Sequence, residues 1–244
     1  MSTPLPEVPL EIGILTRGKP TLGMALASLL LQDGTPLRIY VVDTSETPVI
    51  NREDIVFALR LAFDREIQCG YEYSRERERA FSLGKLRLLE NLRGPFIAFM
   101  DDDVVIPSST LRAMRHRAGA DGVFGYIAPT CKNAVMVNDL LAGQPHYSPG
   151  GVIHQDETVR SILTHYYATT VDVLDRQRSD EKVWETAFLT ELFAVLERPR
   201  ITLPDALTYH LDYSEGPDWE LARHDLVRRS ATKARQLVKL LHHP

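Results

Sequence analysis

Three consecutive aspartates, Asp101, Asp102 and Asp103, follow directly on the apolar run 95–100. Carboxylates this close repel one another and lose solvation beside a buried strand, so they call for a counter-charge. Mg2+ or Mn2+ would supply it, since either takes hard oxygen ligands and commonly keeps substrate phosphates in its shell. Bound to a diphosphate, such an ion neutralises charge developing on a leaving group. Taken alone, the cluster also fits a solvated turn ahead of a helix capped by Ser108 or Ser109.

The elements that must position these carboxylates read as alternating strands and helices. Short β-branched runs predict strands over 10–15 and 37–42, the second ending at Asp43. Between them Pro20 suits a first helical turn, and Leu22, Leu26, Leu29 and Leu30 repeat at helical spacing. A helix over 53–65, a weaker strand over 67–73 and a long helix over 75–92 come next, with Gly94 just beyond its end. The continuously apolar run 95–100 predicts a central strand covered on both faces. A shorter helix over 109–117 and a strand over 122–128 complete this half. Such alternation implies a mostly parallel sheet, in which ligands sit beyond the carboxyl ends of the strands. Thr16, Asp43 and Asp101 to Asp103 all fall at those ends. Residues 130–182 resist a regular reading. A helix over 183–196, a strand pair within 201–211 and a final helix over 218–241 are expected after them.

Composition narrows the class. The chain has 244 residues, 44% hydrophobic and 25% charged, with two cysteines, Cys69 and Cys131, and a net charge of −5. A zinc ribbon or disulfide framework is not expected from two isolated cysteines, and the acidic balance argues against a nucleic-acid binder. No apolar run approaches the roughly 20 residues of a membrane-spanning helix, and the start lacks the pattern of a signal peptide. These features predict a cytoplasmic protein folding as one unit, without internal repeats.

Several islands of sequence resemble the GT-A glycosyltransferases, and within them family 2. IGILTR (12–17) with LASLLLQ (26–32) is similar to the family's opening strand, turn and helix, and VVD (41–43) to its second strand. GPFIAFMDDD (94–103) is similar to the segment carrying the D-x-D signature, and PDALTYH (204–210) to a late segment whose histidine completes the metal or diphosphate site. The resemblance implies an α/β, Rossmann-like GT-A domain with a mostly parallel central sheet flanked by helices and a smaller C-terminal acceptor side. Its nucleotide-sugar half would span 10–129, its acceptor half 130–212, and a C-terminal helix 213–244. It implies transfer of a sugar from a nucleotide-diphosphate donor to a hydroxyl acceptor, inverting, with Mn2+ or Mg2+ as cofactor. Carried over residue by residue, Asp43 contacts the base with Thr16 and Arg17 nearby, and Lys85 faces the nucleotide. Asp101 and Asp102 contact the sugar nucleotide, while Asp103 and His210 hold the metal.

The family draws its base from a Glu-Asp pair at a helix start. Here KVWETAFLTELF (182–193) has Glu185 followed by Thr186, which makes Glu185 the candidate base, with Asp180 and Glu181 as local competitors. The positive end of a helix dipole favours an anion at that place. Trp184 could stack on an acceptor sugar or pack in the core, and His146, Tyr147, His165, Tyr166 and Tyr167 fit acceptor-side contacts and core packing equally. Two other readings stay open. FMDDDVV (99–105) also fits the D-x-D-x-V motif of haloacid-dehalogenase-like phosphatases, and the altered pair suits a non-catalytic sugar-nucleotide binder. The last helix repeats Val227, Ala231, Ala234, Val238 and Leu241 among basic residues. That pattern fits packing on its own domain, a peripheral membrane contact or a homodimer seam. The run 75–79, alternating in charge, reads as an exposed helix start.

Overall fold

The computed structural model describes residues 10–34, 36–120, 125–133, 151–211 and 219–242. One eight-stranded sheet runs through them in the order β3-β2-β1-β4-β7-β6-β8-β5. Its strands are β1 (Leu10–Thr16), β2 (Leu37–Asp43), β3 (Gln68–Tyr73), β4 (Phe96–Asp101), β5 (Val104–Val105), β6 (Tyr126–Asn133), β7 (Val152–His154) and β8 (Arg200–His210). The helices are α1 (Leu22–Leu30), α2 (Glu53–Asp64), α3 (Ala80–Asn91), α4 (Thr110–Arg115), α5 (Glu157–Thr169), α6 (Glu185–Val195) and α7 (Trp219–Leu241).

Strands β1 to β4 pair in parallel, as βαβ crossovers demand. β7 then runs antiparallel between β4 and β6, and β6 pairs in parallel with β8. Alternate side chains of the parallel strands enter two cores. Ile12, Ile14, Ile39 and Met100 pack beneath α1, α2 and α4. Ile97, Phe99 and Val42 pack beneath α3, α5, α6 and α7. Gly84 lets α3 approach β1, because a Cβ there would lie 2.4 Å from Leu15 Cδ1.

Four local expectations change. Helix α3 starts at Ala80 rather than at 75, because the Glu76 carboxylate accepts the N–H groups of Arg77, Glu78 and Arg79 in a tight local turn. The run 75–79 is thus no helix start, and Arg79 instead donates to the Tyr167, Ala168 and Thr170 carbonyls at the end of α5. Segment 130–182, unreadable as regular units, contains β7 and the 13-residue α5, whose start is capped by Asp156 accepting from Val159 N. The strand pair within 201–211 is one strand, β8, irregular in register where β6 passes from Pro129 to Thr130. The buried stripe of α7 is Leu226, Ser230, Ala234, Leu237 and Val238, with Val227 and Leu241 outside it. Consecutive residues lie 100° apart around a helix, so a stripe read one position late faces another way.

Candidate active site

Register alone gathers the first residues. Thr16 pairs with Asp43 across β1 and β2, and Leu15 pairs with Asp101 across β1 and β4. The carboxyl ends of three parallel strands therefore finish level, at the edge where such sheets bind ligands. His210 arrives from the far end of the chain. It ends β8, which runs antiparallel to the two-residue β5 so that His210 faces Val104, and the Leu211 N–H donates to the Asp103 carbonyl at 2.8 Å.

Ligand atoms of Asp101, Asp103 and His210 lie within 4.8 Å of one another. His210 Nε2 is 3.0 Å from Asp103 Oδ1, and Lys19 Nζ is 2.5 Å from Asp103 Oδ2. Burial pushes the Asp103 pKa up, but the hydrogen bonds from His210 and Lys19 outweigh it and hold the group below the usual carboxylate range. Burial lowers the imidazole in turn, and Asp103 overcomes that to raise it.

Asp102 points elsewhere. Thr16 Oγ1 donates to Asp102 Oδ2 at 2.6 Å, and Thr21 Oγ1 donates to the Asp102 carbonyl. Burial raises the Asp102 carboxyl pKa. This aspartate fastens the loop after β1 to the loop after β4, and Gly18, at φ +89°, makes the turn within the first of these. Asp43 is 0% exposed. Its Oδ1 accepts the Ser45 N–H, and its Oδ2 accepts the Val49 N–H and the Tyr71 hydroxyl, so its carboxylate shapes the loop after β2.

Lys85 and Glu185 come together in a second, buried cluster. Lys85 Nζ is 3.4 Å from Glu185 Oε2 and lies over the rings of Phe99 and Phe81, at 4.7 and 5.2 Å. Tyr167 donates its hydroxyl to Glu185 Oε1 at 2.5 Å. With Lys85 2% and Glu185 5% exposed, both side chains are enclosed by the protein. Around them stand two aspartates that carried no sequence signal. Asp172 accepts the N–H of Glu185, first residue of α6, and Asp175 accepts those of Phe81 and Ser82 in the first turn of α3. Burial raises the Asp172 carboxyl to about 8, with Glu185 adding to the effect. Arg17 bridges the two clusters. It donates to the Leu174 carbonyl, and its charge interacts with Arg176 and with aspartates of both clusters, Asp175, Asp102 and Asp172.

Of the acceptor-side candidates, Tyr166 stacks on Phe188 at 3.7 Å and is wholly buried, as is Tyr167. Trp184 and His165 are half-buried, and Asp180 and Glu181 are exposed. His146 and Tyr147 lie outside the described residues. Lys19 is a single basic residue in a turn, and its place between the first strand and Pro20 is the only sequence signal it carries.

No family model and no curated protein matches the sequence. Solved structures do match in fold. TarS from S. aureus aligns over 96% of this chain and 42% of its own, at 15% identity and a TM-score of 0.60. Its 1–349 fragment in complex with UDP-GlcNAc aligns over 96% of this chain and 71% of its own, at 15% and 0.60. The mannosyltransferase PcManGT from Pyrobaculum calidifontis, in complex with GDP-Man and Mn2+, aligns over 96% of this chain and 68% of its own, at 17% and 0.62. The chain thus spans less than half of the full TarS structure. The shared architecture is the GT-A fold: a mostly parallel, Rossmann-like sheet between helical layers.

Proposed function

We propose that the protein is a metal-dependent glycosyltransferase, moving a sugar from a nucleoside-diphosphate donor to a hydroxyl acceptor with inversion. The observation that carries this reading is the convergence of Asp101, Asp103 and His210 at the ends of β4 and β8. Two carboxylates and an imidazole suit Mn2+ or Mg2+ and leave positions for phosphate oxygens. Bound there, the ion would neutralise charge on the departing diphosphate. Asp103 and His210 would be its principal ligands and Asp101 the third. Thr16, through Asp102, holds the loop that carries them, and Asp43 fixes the loop after β2 on the nucleotide side. TarS and PcManGT support the reading by sharing the fold, one structure holding UDP-GlcNAc and the other GDP-Man with Mn2+. Calorimetric titration with UDP, GDP and their sugars tests it: binding should require Mn2+ and disappear in Asp103→Asn and His210→Ala. If no such ligand binds while a phosphomonoester is hydrolysed, the reading fails and the phosphatase alternative takes its place.

One observation favours a second reading, a sugar-nucleotide binder without transfer. Both oxygens of Glu185, the candidate base, are taken by Lys85 and Tyr167 and shielded from solvent. A base must reach the proton it removes, directly or through one water. Release of UDP or GDP from the donor, measured for the wild type and Glu185→Gln, separates the two. Turnover lost with donor binding retained supports Glu185 as base; no turnover in either protein supports the binder.

A further inference from the structure

Lys19 has no role in that reading, yet it sits on the carboxylate the reading depends on. Its Nζ is 2.5 Å from Asp103 Oδ2, while Oδ1 of the same group faces His210 Nε2 at 3.0 Å. Asp103 is 3% exposed and fixed, whereas the Lys19 side chain is 39% exposed. The lysine backbone is held, since Arg52 Nη1 donates to the carbonyls of Gly18 and Lys19 at 3.0 and 2.9 Å. The member of the pair with solvent beside it to swing into is therefore the ammonium, a compact charge on a four-carbon stem.

A divalent cation and an ammonium on one carboxylate group repel each other at close range in a partly desolvated site. We propose that Lys19 competes with the divalent cation for Asp103 and, once displaced, binds the donor's diphosphate. The loop thereby couples the two ligands, so that the metal alone binds weakly and metal with nucleoside diphosphate binds strongly. Lysine is well matched to the second task, as a point charge for phosphate oxygens. The proposal rests on the donor-site reading given above.

Mn2+ titrations followed by the electron paramagnetic resonance of the free ion test it, with and without UDP or GDP. They use the wild type, Lys19→Gln, Lys19→Met, Lys19→Arg and Asp103→Asn, each checked for folding by its melting curve. Lys19→Gln and Lys19→Met should bind Mn2+ alone about tenfold more tightly than the wild type, and the extra Mn2+ affinity conferred by the nucleoside diphosphate should shrink by a similar factor. Lys19→Arg, which keeps the charge, should resemble the wild type. Equal or weaker Mn2+ binding by the two neutral variants overturns the proposal while leaving the donor site intact, provided Asp103→Asn loses Mn2+. If Asp103→Asn and wild type titrate alike, the donor-site reading itself is wrong and the proposal falls with it.

Discussion

Where each carboxylate points separates the three aspartates more sharply than their order in the chain. Asp103 and Asp101 face His210, whereas Asp102 is turned to Thr16 and holds two loops together. Asparagine at 102 keeps an oxygen for the threonine hydroxyl, so Asp102→Asn should retain Mn2+ binding, while Asp103→Asn should remove it. Equal losses in the two variants, measured by Mn2+ titration, would show that the division is mistaken. The Lys85–Glu185 pair makes a different prediction. Removing one member of a buried ion pair leaves the other uncompensated and typically costs about 3–5 kcal/mol, whereas replacing both with apolar groups is often neutral. Lys85→Met and Glu185→Gln should each lower the unfolding free energy by about 3 kcal/mol. The double variant should lose less than the sum of the two. Additive losses in urea unfolding would mean that the pair is not coupled. The tyrosine hydroxyl on Glu185 Oε1 is retained in each glutamine variant as a donor to an amide oxygen, so the cycle isolates the lysine contact.

Two helices owe their starting points to one loop. α3 and α6 have no side-chain cap of their own at the preceding residue, and Asp175 and Asp172 reach in to accept their first N–H groups. Caps are legible in sequence when they are adjacent, and here the capping residue of α3 lies more than ninety positions downstream, so the helix expected over 75–92 begins five residues before the observed start at Ala80. Helices that carried their own periodicity, α1 and α2, were legible because apolar spacing is local. The capping has a pH signature. Asp172 is held at about 8 in the folded protein, against an ordinary value of 3.8. Facing it are Glu185 from α6, Asp175 from its own loop, Tyr166 from α5 and Arg17 from the end of β1. Between those two values the folded state binds a proton that the unfolded chain has released, so this group's stabilisation is complete below about pH 4 and declines until about pH 8. Asp172→Asn cannot titrate. The melting temperature of the wild type relative to Asp172→Asn should therefore fall between pH 5 and pH 8. A difference that stays constant or grows with pH would contradict the buried, proton-binding aspartate.

Across the whole molecule, the parallel half was readable because β1, β2 and β4 are apolar runs that each end on a polar residue: Thr16, Asp43 and Asp101 are gathered at one sheet edge through register alone. What joins that half to the rest was not readable. β7 inserts antiparallel beside β4 across more than fifty positions of chain, and β8 returns past β6 to lay His210 against β5 across more than a hundred; such pairings leave no local pattern. The last helix shows the same difference between local and distant information. Its length and basic residues were plain, but the buried face depends on what lies beneath it, namely α6 and α5. Trp184 N–H donates to Ser230 Oγ at 2.8 Å, and Arg235 pairs with Glu191, so polar contacts tie α7 to the start and middle of α6. No helix among the described residues is long and apolar enough to cross a membrane. Burying Leu226, Leu237 and Val238 contributes about 5–8 kcal/mol on transfer grounds, comparable with the whole stability of an ordinary domain. A chain cut after residue 212 should therefore fail to give a cooperative melt, because the apolar faces of α5 and α6 are left in water. Charge reversal on the exposed side, Arg228→Glu with Lys239→Glu, should leave the melting temperature within a few degrees of the wild type, since exposed pairs contribute little. A truncated chain that melts cooperatively near the wild-type temperature would show that α7 is an appendage whose apolar stripe serves another surface.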